Sequence, residues 1–313
     1  MIFLGDYPLA TRSRLWHTIL MKTKAPTLRQ FQDRFPTEES CLEHLKLVRF
    51  GERHACEKCG KDAKFYRIAA RRSYGCEYCG HQIYPTADTP FHKTRTSLHD
   101  WFHVMFLFCS TRNGVAAKEV ERQIGVTYKT AWRMCHEIRK YMAIVDGDEP
   151  LGGPFKTVQV DETYIGGVVR GKGRGYKGNK MVVMGLWQKG GEVITRVVPD
   201  RRKGSLLPHI TANVKPYSEL HTDKHGAYTD MGTVNGYWHK QVDHDAGEYV
   251  SKDGATTNGI EGFWAQLKRS INGTHIHVSQ KHLSKYLGEF EFRHNRRNRP
   301  ATMLSELMLS FAR

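Results

Sequence analysis

The sequence predicts an α/β fold: a mixed sheet with flanking helices in its second half, preceded by a small cysteine-rich module and a helical region. Three observations predict it. Residues 158–164, 181–187 and 193–198 are apolar or alternating runs of strand length. From residue 205 onward helical and strand patterns alternate, as they do where helices cover a mixed sheet. Upstream, four cysteines lie between positions 56 and 79, and helical periodicity follows them.

Residues 1–36 carry no clear pattern and are left unassigned. Glu38 and Glu39 follow Pro36-Thr37, where acidic groups suit a helix start, and Leu42, Leu45 and Val48 recur at helical spacing. A short helix is therefore expected at 37–49, leading into a turn-rich stretch at 54–85 within a module spanning 37–92. Ser97 and Asp100 form a capping pair before an apolar helix at 98–110. In 115–141, Val115, Ala116, Val120 and Ile124 suit one helix, Gly125 breaks it, and Val126, Ala131, Met134 and Ile138 suit a second. That is a helix-turn-helix pattern, within a region spanning 93–146. Thr127, Tyr128, Lys129, Thr130 and Arg133, near the start of its second helix, are the candidates for touching DNA from a major groove.

Residues 146–154 read as a linker by composition. The sheet region follows at 155–300: the three strands, a helix at 205–214, a short strand ending at Asp223, a strand at 238–242, and helices near 258–270 and 279–294. Residues 301–313 are expected as a C-terminal helical tail.

Cys56-x2-Cys59 and Cys76-x2-Cys79 have the spacing of two zinc knuckles, able to close a tetrahedral four-thiolate site. Gly60 and Gly80 follow the second cysteine of each, where the backbone must turn tightly. Four protein ligands fill the shell, so one structural Zn2+ is expected, with no position left for catalysis. Cys41, Cys109 and Cys135 sit on apolar helix faces and read as core.

Charge decides the class of partner. The chain has 48 basic and 32 acidic side chains, a formal +16, which favours a polyanion such as nucleic acid. The longest apolar run, 101–109, is too short to span a membrane, and the first residues lack a signal-peptide pattern. A cytoplasmic, nucleoid-associated protein with reduced cysteines is the expectation. Arg293, Arg296, Arg297 and Arg299 form a basic cluster suited to phosphate contact. Gly173-Arg-Gly175-Tyr-Lys-Gly178 matches a dinucleotide fingerprint, but a strand rather than a helix follows it. A basic hairpin loop is the preferred reading there.

Asp161 follows Val158-Gln-Val160, with valines on one strand side, and is expected at the edge of a core. A carboxylate there is costly unless something positive binds it. Glu162 should point to the opposite face and is not assigned as a ligand. Asp223 closes a short strand, and Glu261, Trp264 and Lys268 share one face of a helix. His221, His225, His239, His244, His275 and His277 are given no catalytic role.

The stretches VDETYIGG, HTDKHGAY and NGIEGFWAQLKRSINGTHIHVSQKHLSKYLGEFEFRHNRR resemble insertion-sequence transposases that carry an N-terminal zinc ribbon and an RNase H-like DDE domain. The resemblance covers roughly residues 30–300 in order, and the C-terminal stretch is its most specific part. It implies that Asp161, Asp223 and Glu261 are the three catalytic acids and Lys268 the lysine seven residues after the third, with Arg269 beside it on DNA. Two Mg2+ or Mn2+ ions, about 3.5–4 Å apart, would serve phosphodiester attack. Asp161 would bridge both, and Asp223 and Glu261 would each hold one. Double-stranded DNA, both element ends and target, is the implied substrate, with a dimer or larger assembly pairing two ends. An inactive DNA-binding regulator and a nuclease without strand joining are the rival readings.

Overall fold

The computed structural model describes residues 24–147, 149–166, 180–229, 231–234 and 236–312. The expected basic loop at 173–178 lies outside the described residues. Among them, no helix is long and apolar enough to cross a membrane.

The N-terminal half opens with α1 (Leu28–Arg34) and α2 (Glu38–Phe50), both started by reciprocal capping, Thr27 with Gln30 and Thr37 with Ser40. Helix α1 falls in the segment left unassigned, and its capping box was the readable signal. A four-stranded antiparallel sheet follows in sequential order: β1 (Arg53–Ala55), β2 (Asp62–Ile68), β3 (Ser73–Cys76) and β4 (Gln82–Ile83). Helix α3 (Leu98–Ser110) starts where expected: the Ser97 hydroxyl accepts from Asp100 N at 2.9 Å, and Glu38 of α2 accepts from Leu98 N at 2.6 Å. Helices α4 (Ala117–Ile124) and α5 (Tyr128–Asp146) flank the expected break at Gly125.

The composition of 146–154 suggests a plain linker, but the structure corrects this. Asp146 ends α5 and is ion-paired with Arg296, and β5 (Leu151–Gly152) pairs in parallel with β9 (Val214–Lys215). The large sheet contains β6 (Thr157–Ile165), β7 (Met181–Gln188), β8 (Val193–Val198), β10 (Glu219–Asp223) and β11 (Trp238–Val242). Its order is β11-β10-β6-β7-β8; β6, β7 and β8 run antiparallel in turn, and β10 and β11 run parallel to β6.

Strand β6 is buried on both faces, so its period-two pattern selects two cores. Val158 and Val160 join a core with Leu206 and Ile210 of α6 (Lys203–Asn213) and with Met231 of the short α7 (Met231–Val234). On the other face, Val183 and Val193 pack with Ile260, Trp264 and Leu267 of α8 (Asn258–Ser270) and with Leu287 and Phe290 of α9 (Gln280–Asn295). One turn of π-helix, Ile271–His275, ends α8.

Helix α9 joins the halves. A Cβ at Gly288 would lie 2.5 Å from the Ala143 side chain, so α5 and α9 approach closely there. Beside that contact, Arg139 Nε meets Glu289 Oε2 at 2.7 Å and Arg293 Nη2 meets Glu289 Oε1 at 2.8 Å, all three side chains buried. The expected tail is α10 (Pro300–Phe311), and it is part of the N-terminal core: Phe311 lies 5.5 Å from the Phe91 ring and 4.1 Å from that of Tyr141.

Candidate metal centres and DNA-facing residues

The cysteines come together as their spacing requires. Gly60 and Gly80 both adopt φ +69, the left-handed turn that spares a Cβ clash, and their N–H groups donate to the Cys56 and Cys76 carbonyls. The Cys56 and Cys79 sulfurs are 3.6 Å apart and those of Cys59 and Cys76 3.9 Å. A tetrahedral zinc with Zn–S bonds of about 2.3 Å separates its sulfurs by roughly 3.8 Å, so the quartet fits the ion. Burial opposes ionisation of Cys56, but the Cys59 and Lys58 N–H groups and the neighbouring thiols outweigh it and bring it to about 6. A thiolate there is the form a metal takes. Cys41, Cys109 and Cys135 are buried, and burial raises all three thiols, as suits core residues.

The carboxylates are assembled from three elements. Asp161 lies in the middle of β6, not at a strand end, on the face that meets α8. Its antiparallel partner across the ladder is Gly185. A Cβ at Gly185 would lie 2.5 Å from the Trp264 ring, so the glycine admits the indole, whose Nε1 donates to Asp161 Oδ2 at 3.1 Å. Two residues earlier on the same face, Gln159 Oε1 accepts from Ile260 N at 3.0 Å and anchors the first turn of α8. The parallel ladder between β10 and β6 pairs His221 with Gln159, two residues before Asp223 and Asp161 on their strands, and the Asp223 charge acts on the Asp161 carboxyl. Glu261 stands in the first turn of α8.

Burial first, then the negative charges of Glu162, Asp223 and Glu261, push the Asp161 carboxyl up to about 7. Asp223 Oδ1 is buried and has no hydrogen-bond partner among the described residues, while Oδ2 lies 3.7 Å from Arg201 Nη2. Glu261 Oε1 accepts from the Thr257 hydroxyl at 2.6 Å and lies 3.2 Å from His244 Nε2. Such a collection of acids, with one buried oxygen unsatisfied, fits divalent cations. The trio is more open than the cysteine quartet. Among the described residues only Cys56, Cys59, Cys76 and Cys79 bring three or more such ligand atoms within 4.8 Å of one another. Ions about 3.5–4 Å apart, each holding its own acid, would accommodate that wider spread.

Glu162 occupies the other strand face, bonded to Tyr228 Oη and to Arg201 Nε and Nη2 at 3.2 and 3.1 Å. Sequence reasoning missed Arg201, Tyr228, Thr257 and the place of His244. Arg201, Tyr228 and His244 sit in no distinctive local pattern and reach the acids only through the fold, whereas Thr257 lies one helical turn before Glu261 and was within reach of the sequence.

Thr127, Tyr128, Lys129 and Arg133 are exposed and Thr130 half-buried, with the Thr127 hydroxyl capping Thr130 N. Lys268 and Arg269 are exposed on α8. The basic cluster needs correction. Arg293 is buried against Glu289, and Arg296 is buried against Asp146 and Glu306, so these two charges are neutralised inside the protein. Burial of a cation demands such partners, and α5, α9 and α10 supply them. Of the four arginines in the cluster Arg297 is exposed, with Nη1 on the His294 carbonyl at 2.7 Å, and Arg299 is half-buried.

Residues 150–295 match the family model of the ISXO2-like transposase domain, and residues 36–82 match that of the transposase zinc-ribbon domain. A Haemophilus influenzae protein described as an uncharacterized transposase-like protein is 34% identical over 107 residues, which are 33% of this chain and 81% of that protein. With a cysteine quartet shaped for zinc and these two matches in order, the chain belongs to the ISXO2-like transposase family.

Proposed function

We propose that this chain is an active DNA transposase that binds insertion-sequence ends, cuts a strand there and joins the freed 3′-OH to target DNA. The observation that carries the reading is the Asp161 environment: a half-buried carboxyl bonded to Trp264 and raised to about 7 by burial and three neighbouring acids, one of which, Asp223, has a buried oxygen with no hydrogen-bond partner among the described residues. The large sheet, three antiparallel strands followed by two parallel ones, supports an RNase H-like domain over 155–300. The units at 37–92 and 93–146, a zinc ribbon and a helix-turn-helix, would hold the DNA ends, with Thr127, Tyr128, Lys129, Thr130 and Arg133 toward the groove.

Asp161, Asp223 and Glu261 would hold two Mg2+ or Mn2+ ions, which supply a lowered pKa for attacking water and charge stabilisation at the leaving oxygen. The protein's part is placement. Trp264 fixes the Asp161 rotamer, Gln159 anchors the helix that carries Glu261, and Lys268 and Arg269 extend from that helix toward phosphate. In the first step water adds to phosphorus and the 3′ oxygen leaves; in the second that hydroxyl attacks a target phosphodiester and a target 3′ oxygen leaves. Joining two ends calls for at least a dimer.

A supercoiled plasmid carrying the element's ends, incubated with Mg2+ or Mn2+, tests this. Nicking at the ends and joined products are expected. Asp161→Asn and Glu261→Gln should each abolish both while end binding persists. Substantial residual cleavage in either variant contradicts the assignment, and nicking without joining leaves only a nuclease.

A further inference from the structure

The first turn of α8 is bonded in an unusual way. Thr257 is its N-cap residue, and a threonine there ordinarily accepts a backbone N–H with its hydroxyl. It makes no such cap. The hydroxyl instead donates to Glu261 Oε1 at 2.6 Å, one turn along the helix, and the Ile260 N–H goes to Gln159 of β6 at 3.0 Å. Thr257 Oγ1 also lies 2.8 Å from His244 Nε2, in the loop after β11. The threonine has one hydroxyl hydrogen, and Glu261 takes it. Nε2 of His244 must therefore be the donor to Oγ1, which fixes its tautomer. The same nitrogen is 3.2 Å from Glu261 Oε1. Both contacts fall on Oε1, and among the described residues Oε2 has no hydrogen bond.

We propose that His244 and Thr257 are positioning residues for metal binding: together they tie down Glu261 Oε1 and leave Oε2 to take the cation. Thr257 is buried and His244 is exposed at the surface, so only the threonine end of the relay lies inside the fold while the carboxylate itself faces outward. The loop that delivers His244 is itself braced. Asp243 accepts from Ala246 N at 3.1 Å and pairs with Lys224 at 3.0 Å, and Thr256 N donates to His221 Nδ1 at 3.2 Å. This inference rests on the reading of Glu261 as a cation ligand. Partners that orient a ligating carboxylate are worth about 10–100-fold in metal affinity.

The test is Mn2+ binding to the full-length, zinc-loaded protein without DNA, followed by electron paramagnetic resonance, alongside the Mg2+ dependence of plasmid nicking. Thr257→Val and His244→Ala should each weaken Mn2+ binding about 10–100-fold. The Mg2+ concentration for half-maximal nicking should rise in parallel, with the rate recovering at saturating metal. Thr257→Ser, which keeps the hydroxyl, and His244→Gln, which keeps a donor amide, should bind close to wild type. Unchanged Mn2+ affinity in Thr257→Val and His244→Ala overturns the inference, as does a Thr257→Ser variant no better than Thr257→Val. If Asp161→Asn abolishes Mn2+ binding while those variants do not, the metal site stands and only the positioning role falls. A wild type that binds no Mn2+ overturns both.

Discussion

The cysteine quartet draws its ligands from one stretch, residues 56 to 79, whereas the acids come from two strands and a helix as far apart as positions 161 and 261. In the first, two tight turns and a short antiparallel sheet bring the sulfurs within reach of one ion, and little else is needed. In the second, the sheet register, a missing side chain at Gly185 and the seat of α8 all have to be right before the carboxylates come to the same region of the sheet. A site made of neighbours in sequence depends on its metal; a site made of distant residues depends on the whole fold.

That contrast can be broken most forcefully at the ribbon. Cys56→Ser, or prolonged chelation, should remove one equivalent of zinc and unfold residues 53–83, because structural zinc contributes about 10–16 kcal/mol in small isolated zinc domains. Zinc content and limited proteolysis report it; a protein that keeps its ribbon protected without metal would erase the distinction. The carboxylate variants should behave oppositely, losing activity while the far-UV circular dichroism and unfolding midpoint stay near wild type.

Next in size is the joint between the halves. Arg139→Ala leaves Glu289 and Arg293 buried with one partner gone, and breaking such a buried pair costs about 3–5 kcal/mol. Chemical denaturation should show the loss, and Arg139→Met, which fills the volume without restoring charge, should recover little of it.

Gly185→Ala sharpens the comparison at the face that carries Asp161. The new methyl would press on Trp264, and overpacking of this kind costs about 1–3 kcal/mol. The indole should shift from Asp161, so cleavage should fall by more than the stability loss explains. Tryptophan fluorescence and the plasmid assay measure the two separately.

The smallest effect is a pH term. Burial, then the charge of Arg297, lowers His294 from an ordinary 6.5 to about 3, and Trp187 Nε1 donates to its Nε2 at 3.1 Å. Its neutral form is the folded form, so it stabilises fully above about 6.5, and that contribution falls away as pH drops through 6.5 toward 3. His294→Gln, whose carbonyl can accept the same indole N–H, should lose less stability than wild type between pH 7 and pH 5 in urea titrations. Equal losses would place the pH sensitivity elsewhere.

Legibility followed the same line. The α8 face carrying Glu261, Trp264 and Lys268, the break at Gly125 and the zinc knuckles were readable, because each is set by spacing along a few turns. The arginines at 293 and 296 were misread as surface, because a run of charges in sequence does not say which face of a helix meets a partner. Helix α10 was likewise an appendage on paper and a core element in space. Arg201 and His244 carry no local signature, and their approach to the acids depends on the arrangement of distant segments.

By itself the amino-acid order gave most of the helix and strand pattern and the spacing of the cysteine quartet, since helix and strand periods and knuckle spacing are short-range physics. Tertiary structure alone decided that the strands carrying Asp161 and Asp223 run side by side, that His244 reaches Glu261, and that two arginines are buried against acids. Those outcomes depend on packing between distant segments, where burial forces each charge to find a partner that no neighbouring residue announces.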